Sequence, residues 1–343
     1  MADQNQREAH EEDEERTRIP VLFIAGAQRS GSTLLDRVLG QAGGTFSAGE
    51  IRYIWENSFV GNHRCGCGAP FSDCSFWSDV TLATFERYGR KPSAKQIVEL
   101  QHAIDRMRYI PALSLDLMGR GYRRRLTEYR DLLECLYASI REISGCDVVI
   151  DSTKDPSHGY LLATSLRIDL HVVHLVRDSR AVAFSWMRKR VDPARPEPGT
   201  LMPIESPIRS GAIWNVHNGL SLGLRRHAAS YRRIRYEDFV ASPHDVARSL
   251  LDRYGIDLDI DASVRGTIDL DRQHTLSGNP MRFEHGAVAV EEDVEWLTAM
   301  ARRDRLVVTA LTWPLLITFG YRPSRRSGRL VGGPTVEHRP PPS

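Results

Sequence analysis

The chain has 343 residues, enough for one large α/β domain with insertions and too few to force a split. Hydrophobic residues at 41% and charged residues at 26% exclude global disorder and allow a sizeable core. With 46 basic side chains against 44 acidic ones, the formal charge of +2 argues against a general nucleic-acid coating role.

In chain order, residues 1–18 carry seven acids and three arginines and read as a disordered acidic tail. That start opposes a secretory signal, and no apolar run approaches the roughly 20 residues a bilayer requires, so a soluble, cytoplasmic protein is expected. Val21 to Ala25 is a short continuous apolar run, as a strand buried on both faces requires. A helix follows from Ser32, with Leu34, Leu35, Val38 and Leu39 on one face. Leu126, Tyr129, Leu133, Leu136, Ile140 and Ile143 step by three and four and predict a long helix that stops at Gly145. Val148 to Ile150 and His171 to Val176 are further buried strands, and Ser179 to Arg190 a helix. Arg232 to Tyr236 predicts a fourth strand, with a helix starting near Ser242 and Pro243.

Strands alternating with helices predict an α/β three-layer sandwich with a central parallel sheet. The domain is expected over 19–321, with insertions near 61–121 and 191–207 and a disordered Pro-rich tail over 322–343. The second insertion holds five prolines and reads as an exposed loop near the active edge.

The sharpest motif is Gly26-Ala-Gln28-Arg29-Ser30-Gly31-Ser32-Thr33, between a buried strand and a helix start. A loop there aims backbone N–H groups and the positive end of a helix dipole at an anion. It keeps the G-x-x-x-x-G frame of a phosphate loop. The position where a nucleotide triphosphatase needs lysine is Ser32, however, and the charge sits at Arg29. A shorter anion held without a metal suits that pattern. A second anion site is suggested by Arg177, directly after a buried strand, with Ser185 eight residues on in the next helix.

Together these segments resemble the sulfotransferases that use 3′-phosphoadenosine 5′-phosphosulfate (PAPS). The first is similar to that family's 5′-phosphosulfate loop and the second to its 3′-phosphate motif. The resemblance implies a P-loop-like nucleotide-binding fold, PAPS as co-substrate and no metal. It implies Gly26, Gln28, Arg29, Ser30, Gly31, Ser32, Thr33, Arg177 and Ser185 as donor-binding residues. Glu50, in a Gly-containing turn after the first helix, resembles the base of the tyrosylprotein and Golgi carbohydrate branch. Arg52 matches that branch's acceptor-assisting arginine. Lys154 stands where the family places a lysine on the phosphosulfate, and it is one of only four lysines in the chain. Its compact ammonium suits a bridging oxygen, and Arg29 joins it and Glu50 as catalytic. Arg282, in a late turn, is expected on the 3′-phosphate.

Other features read as structural. His63, Cys65, Cys67 and Cys74 cluster within twelve residues, but the Cys-x-Cys gap is tight and no second ligand pair is visible, so a local knot without metal is expected. Tyr236 and Phe239 read as packing residues, as do Trp214 and Trp296. His158 is a reserve candidate for the base, while His171 and His174 read as satisfied core or edge residues. The expected reaction is sulfuryl transfer to a sugar, glycolipid or other small-molecule hydroxyl, with peptide tyrosine a further possibility. Two alternatives stay open: a Mg-dependent P-loop kinase or nucleotide hydrolase, for which Asp151 would be the Walker-B-like acid, and a non-catalytic nucleotide-binding protein. Oligomeric state is not legible.

Overall fold

A computed structural model of the chain describes residues 18–115, 117–195, 197, 199–258 and 266–322. The two expected tails lie outside these residues, apart from Arg18 and Arg322. The apolar runs become β1 (Ile19–Ala25), β2 (Thr45–Gly49), β3 (Val148–Lys154), β4 (Ile168–Val176) and β5 (Ser230–Arg235). They form one parallel sheet in the order β2-β3-β1-β4-β5. The edge strand β2 was not anticipated, because TFSAG is short and only weakly apolar.

The longer helices are α1 (Ser32–Leu39), α2 (Ser75–Tyr88), α3 (Ala94–Ile104), α4 (Arg120–Ser144), α5 (Pro156–Leu162), α6 (Ser179–Met187), α7 (Pro207–Gly223), α8 (Pro243–Leu251) and α9 (Arg302–Thr318). Alternation within the strands explains the layers. Val21, Phe23, Val149, Leu170 and Val172 share a core with Leu133 and Leu136 of α4. Leu22, Ile24, Ile150, Val173 and Leu175 face the other way, onto Leu35 and Val38 of α1 and Leu250 of α8. Each central strand is apolar on both faces, so it needs helices on both. The helix α4 ends as its sequence predicts: Gly145 takes a left-handed φ of 68° that a side chain would resist.

The stretch 61–121 breaks the strand–helix rhythm because its helices pack mainly on α4 and reach the sheet only at its edge, where Phe76 stacks on Phe46 of β2 at 4.7 Å. Trp77, Val80, Phe85 and Ile97 join the α4 core. Among the described residues no helix is long and apolar enough to cross a membrane.

Strand order places the functional edge. The chain leaves β1 toward β2 on one side and leaves β4 toward β5 on the other. Loops diverging from adjacent strands open a crevice at their C-terminal ends, the usual ligand position in open α/β sheets.

Candidate active site

A cleft of about 660 Å³ lies at that edge. Every strand of the parallel sheet delivers a residue to it: β1 the loop residues Gln28, Arg29, Gly31, Ser32 and Thr33, β2 Glu50, β3 Lys154, β4 Arg177 and β5 Tyr236, while Gly26 and Ser30 of the loop lie behind its surface. Ser185, from α6, lines the same cleft as Arg177. Residues some 150 positions apart in the chain thus share one wall because β1 and β4 are neighbours in the sheet.

The phosphate loop is held by close packing. At Gly26, with φ 138°, a Cβ would lie 2.3 Å from the Leu175 carbonyl oxygen of β4. At Gly31, with φ 90°, it would lie 2.4 Å from the Tyr236 ring. The loop therefore needs both glycines, and Tyr236 packs as expected while also lining the cleft. Helix α1 starts directly after Gly31, whose carbonyl takes the Leu34 amide at 3.1 Å, so the Ser32 and Thr33 amides are the first-turn donors left without an acceptor in the helix. The Ser30 hydroxyl is buried and, among the described residues, has no hydrogen-bond partner. Arg29 lies against the Trp186 ring at 4.7 Å, and its pKa is lowered by burial and by Arg190. Arg177 donates to the Arg29 carbonyl at 3.2 Å, stacks over Tyr236 at 4.4 Å and pairs with Asp293 at 3.3 Å. Such partly desolvated cations favour an anion.

The ammonium of Lys154 forms an ion pair with the Glu50 carboxylate and donates to the Ser152 carbonyl at 2.7 Å. Glu50 is anchored through its backbone: its N–H donates to Leu276 at 2.8 Å, while Leu276 donates to Ala48 at 2.9 Å. A Cβ at Gly49 would strike the Leu276 carbonyl at 2.1 Å, so only glycine lets the two segments meet. Lys154 and Arg29 have positive φ, 68° and 65°, and so does Ser277 at 51°; all three line the cleft. Each costs about 1–2 kcal/mol relative to the right-handed conformation, and such strain collects at functional sites.

Two residues expected at the site are placed behind it. Arg282 is 2% exposed and spends its guanidinium on the carbonyls of Arg64 at 2.8 Å and Thr275 at 3.3 Å. Arg52 pairs with Asp105 at 2.9 Å and Asp155 at 3.8 Å. Neither lines the cleft.

Beneath Arg52 runs a buried charge network. His158, fully enclosed, lies 3.4 Å from both Asp105 and Asp151, so it cannot reach an acceptor in the cleft and drops out as a reserve base. Asp151 is also sealed, accepting from Tyr137 at 2.6 Å and from the Thr153 amide at 2.9 Å, and does not serve the cleft as a Walker-B acid would. Burial opposes the charge on His158, but Asp105 and Asp151 outweigh it and raise its pKa to about 9. Burial would raise Asp105, but Arg52 and then His158 hold it at about 2. The His158 contribution to stability is complete below its ordinary 6.5 and fades as pH climbs through about 9. The Asp105 contribution is complete above its ordinary 3.8 and is lost as pH falls through about 2. Replacing Asp105 by asparagine removes the carboxylate that Arg52 and His158 share and leaves each with one more distant or already occupied partner, Asp155 or Asp151, and is expected to cost about 3–5 kcal/mol at pH 6. Urea denaturation checks this, and unchanged stability would contradict the network.

The remaining histidines behave as read from sequence. His171 contacts Asp169 at 2.7 Å, and His174 is enclosed between Tyr231 at 2.6 Å and Asn218 at 2.8 Å. Trp214 is fully buried and donates to the Arg177 carbonyl at 2.9 Å, and Trp296 packs against Arg180. The aromatic groups on the cleft wall are instead Tyr53, Trp186 and Tyr236. His63, grouped with the cysteines by sequence, lines the cleft as well. Sequence reasoning also missed Asn57, Ser277 and Asp293. The positions of Asn57 and Asp293 depend on long-range packing that no local spacing announces; the late turn that carries Ser277 and Arg282 and the proline-rich loop did give a signal, and Ser277, Arg195, Met202 and Pro203 reach the cleft.

A family model described as the sulfotransferase family matches residues 20–260. The chain is similar to the sulfotransferase domain of the Synechococcus PCC 7002 olefin synthase, with 21% identity, 89% of this chain and 96% of that one covered, and a TM-score of 0.51. It is also similar to the sulfotransferase domain from the curacin biosynthetic pathway, with 16% identity, 89% and 99% covered, and a TM-score of 0.50. At these identities the two structures support the fold. Compared with curated protein sequences, the chain has no significant match.

Proposed function

Because the chain belongs to the sulfotransferase family, we propose that it moves a sulfuryl group from PAPS to a hydroxyl of a sugar, glycolipid or other small-molecule acceptor. The observation that carries this reading is the meeting of the phosphate loop after β1 and Arg177 after β4 in one cleft with Glu50 and Lys154. The orphaned Ser30 hydroxyl beneath the loop fits an oxyanion ligand. PAPS would supply an activated sulfuryl group on a phosphate leaving group.

Arg29, Ser32, Thr33 and the loop amides hold the 5′-phosphosulfate, and Arg177 with Ser185 holds the 3′-phosphate. Glu50 takes the acceptor's proton as its oxygen bonds to sulfur. Lys154 moves from Glu50 to the transferring group, where it offsets charge on the departing phosphate oxygen and frees the carboxylate. Arg52, paired with Asp105 and Asp155 behind the cleft, is a positioning residue for the segment that carries Glu50 and Tyr53. Arg282 has no place on the 3′-phosphate in this scheme. Glu50 after the first helix also keeps the likeness to the tyrosylprotein and Golgi carbohydrate branch as part of the proposal. The neighbours come from an olefin synthase and the curacin biosynthetic pathway, which fits a small-molecule acceptor. A kinase or hydrolase reading loses support from the enclosure of Asp151 and from Ser32 in the lysine position.

A screen of hydroxylated acceptors with sulfur-labelled PAPS tests the reading. Label is expected in an acceptor, with adenosine 3′,5′-bisphosphate as co-product. Transfer of a labelled γ-phosphoryl group from ATP, with none from PAPS, would overturn it.

A further inference from the structure

The cysteine cluster acquires a fourth member that sequence spacing could not show. Cys65, Cys67, Cys74 and His274 bring their three sulfurs and one ring nitrogen within 4.8 Å of one another. His63, grouped with the cysteines by spacing, is not part of this set; the fourth group is the single, distant His274 and not a second ligand pair. All three cysteines are free thiols. Sγ of Cys67 and Sγ of Cys74 are 3.9 Å apart, and Nδ1 of His274 lies 3.2 Å from Cys74 and 3.7 Å from Cys65. A tetrahedron built on zinc bonds of about 2.3 Å to sulfur and 2.0–2.1 Å to nitrogen has edges of about 3.8 Å and 3.6 Å. The two sulfur–nitrogen separations, 3.2 and 3.7 Å, fall on either side of their edge, and the 3.9 Å between the sulfurs lies close to theirs. A disulfide would need sulfurs about 2.05 Å apart.

The backbone is shaped to make this approach. The Cys65 amide donates to Ala69 and the Gly68 amide to Cys65, both at 2.8 Å, closing a tight knuckle with Gly68 at φ 94°. Gly66 donates to the Thr275 carbonyl at 2.9 Å, and a Cβ there would lie 2.4 Å from the Thr275 hydroxyl. Trp77 donates to the His274 carbonyl at 2.8 Å, and Phe76 stacks on the imidazole at 5.0 Å, so the ring is fixed by groups just after Cys74. Three thiolates and a neutral imidazole around a divalent ion leave one negative charge to be balanced. The buried guanidinium of Arg282 bonds the carbonyls of Arg64 and Thr275, the immediate neighbours of Cys65 and His274. That position accounts for an arginine the transfer scheme does not use.

We infer that Cys65, Cys67, Cys74 and His274 form a closed, structural zinc site. Soft thiolates with one imidazole select zinc, and four protein ligands leave no open position for catalysis. The ion ties the 65–74 knuckle to the segment whose next residues pair with Ala48 and Glu50 and continue as Ser277 and Gly278 along the cleft. The inference stands apart from the transfer reaction, since its measurement is metal content.

The full chain, purified without chelator, is expected to carry one zinc per molecule by plasma mass spectrometry. Cobalt grown in its place is expected to show the visible bands of a tetrahedral thiolate complex. Cys74→Ser should lose the metal, and Cys135→Ser, outside the cluster, should keep it. Wild-type protein without stoichiometric zinc that neither binds added zinc nor gives the cobalt spectrum would overturn the site. So would an intact mass two hydrogens light from a Cys67–Cys74 disulfide, or full metal content in Cys74→Ser.

Discussion

Glu50→Gln is expected to lower turnover of PAPS and acceptor by about 10²–10⁴, the range lost with a general base. Glutamine keeps the length and can still accept from Lys154, so the backbone anchor through Leu276 and the shape of the cleft should survive. What disappears is the ability to take a proton from the attacking hydroxyl. Affinity for adenosine 3′,5′-bisphosphate should therefore stay nearly constant while kcat falls. Equal turnover in the variant would remove Glu50 from the mechanism. It would not promote His158, which is walled in by Asp105 and Asp151, and attention would move to His63 and Asp192 on the cleft wall.

Lys154→Ala is expected to cost about 10²–10³ in kcat, the magnitude for one preorganised donor on developing charge. The ammonium is nearly enclosed, and it meets a departing oxygen by exchanging the Glu50 carboxylate while the Ser152 carbonyl keeps it in place. Lys154→Arg should not restore the rate, because a planar fork cannot take the place of a compact point charge. A fall seen only in KM, with kcat intact, would assign Lys154 to binding and not to the chemical step.

The parts of the fold that were legible in the sequence are those where one local rule decides. Apolar runs at 21–25, 148–150 and 171–176 had to be buried on both faces, and the stripe from Leu126 to Ile140 had to meet a core. The phosphate loop was legible because its glycines answer two close approaches, one to β4 and one to Tyr236. Arg282 and Arg52 were misplaced for a shared reason: spacing says an arginine is near the edge of the sheet, but not which side of the backbone its long side chain takes. His274 was invisible because it stands two hundred residues from Cys74 and joins it through long-range contacts, the pairing of Gly66 with Thr275 and the Trp77 and Phe76 contacts to His274 itself. β2 was hidden by its brevity, although its position is what sets Glu50 on the cleft.

A cleft built around Arg29 and Arg177 is expected to grip a nucleotide carrying anions at both ends of its ribose, with no help from magnesium. Calorimetric titration with adenosine 3′,5′-bisphosphate in magnesium-free buffer measures this directly, with ATP and Mg²⁺ titrated in parallel. The bisphosphate should bind tightly, at least tenfold more weakly in Arg177→Ala, and ATP should bind weakly. Tight binding of ATP with Mg²⁺ and none of the bisphosphate would contradict it.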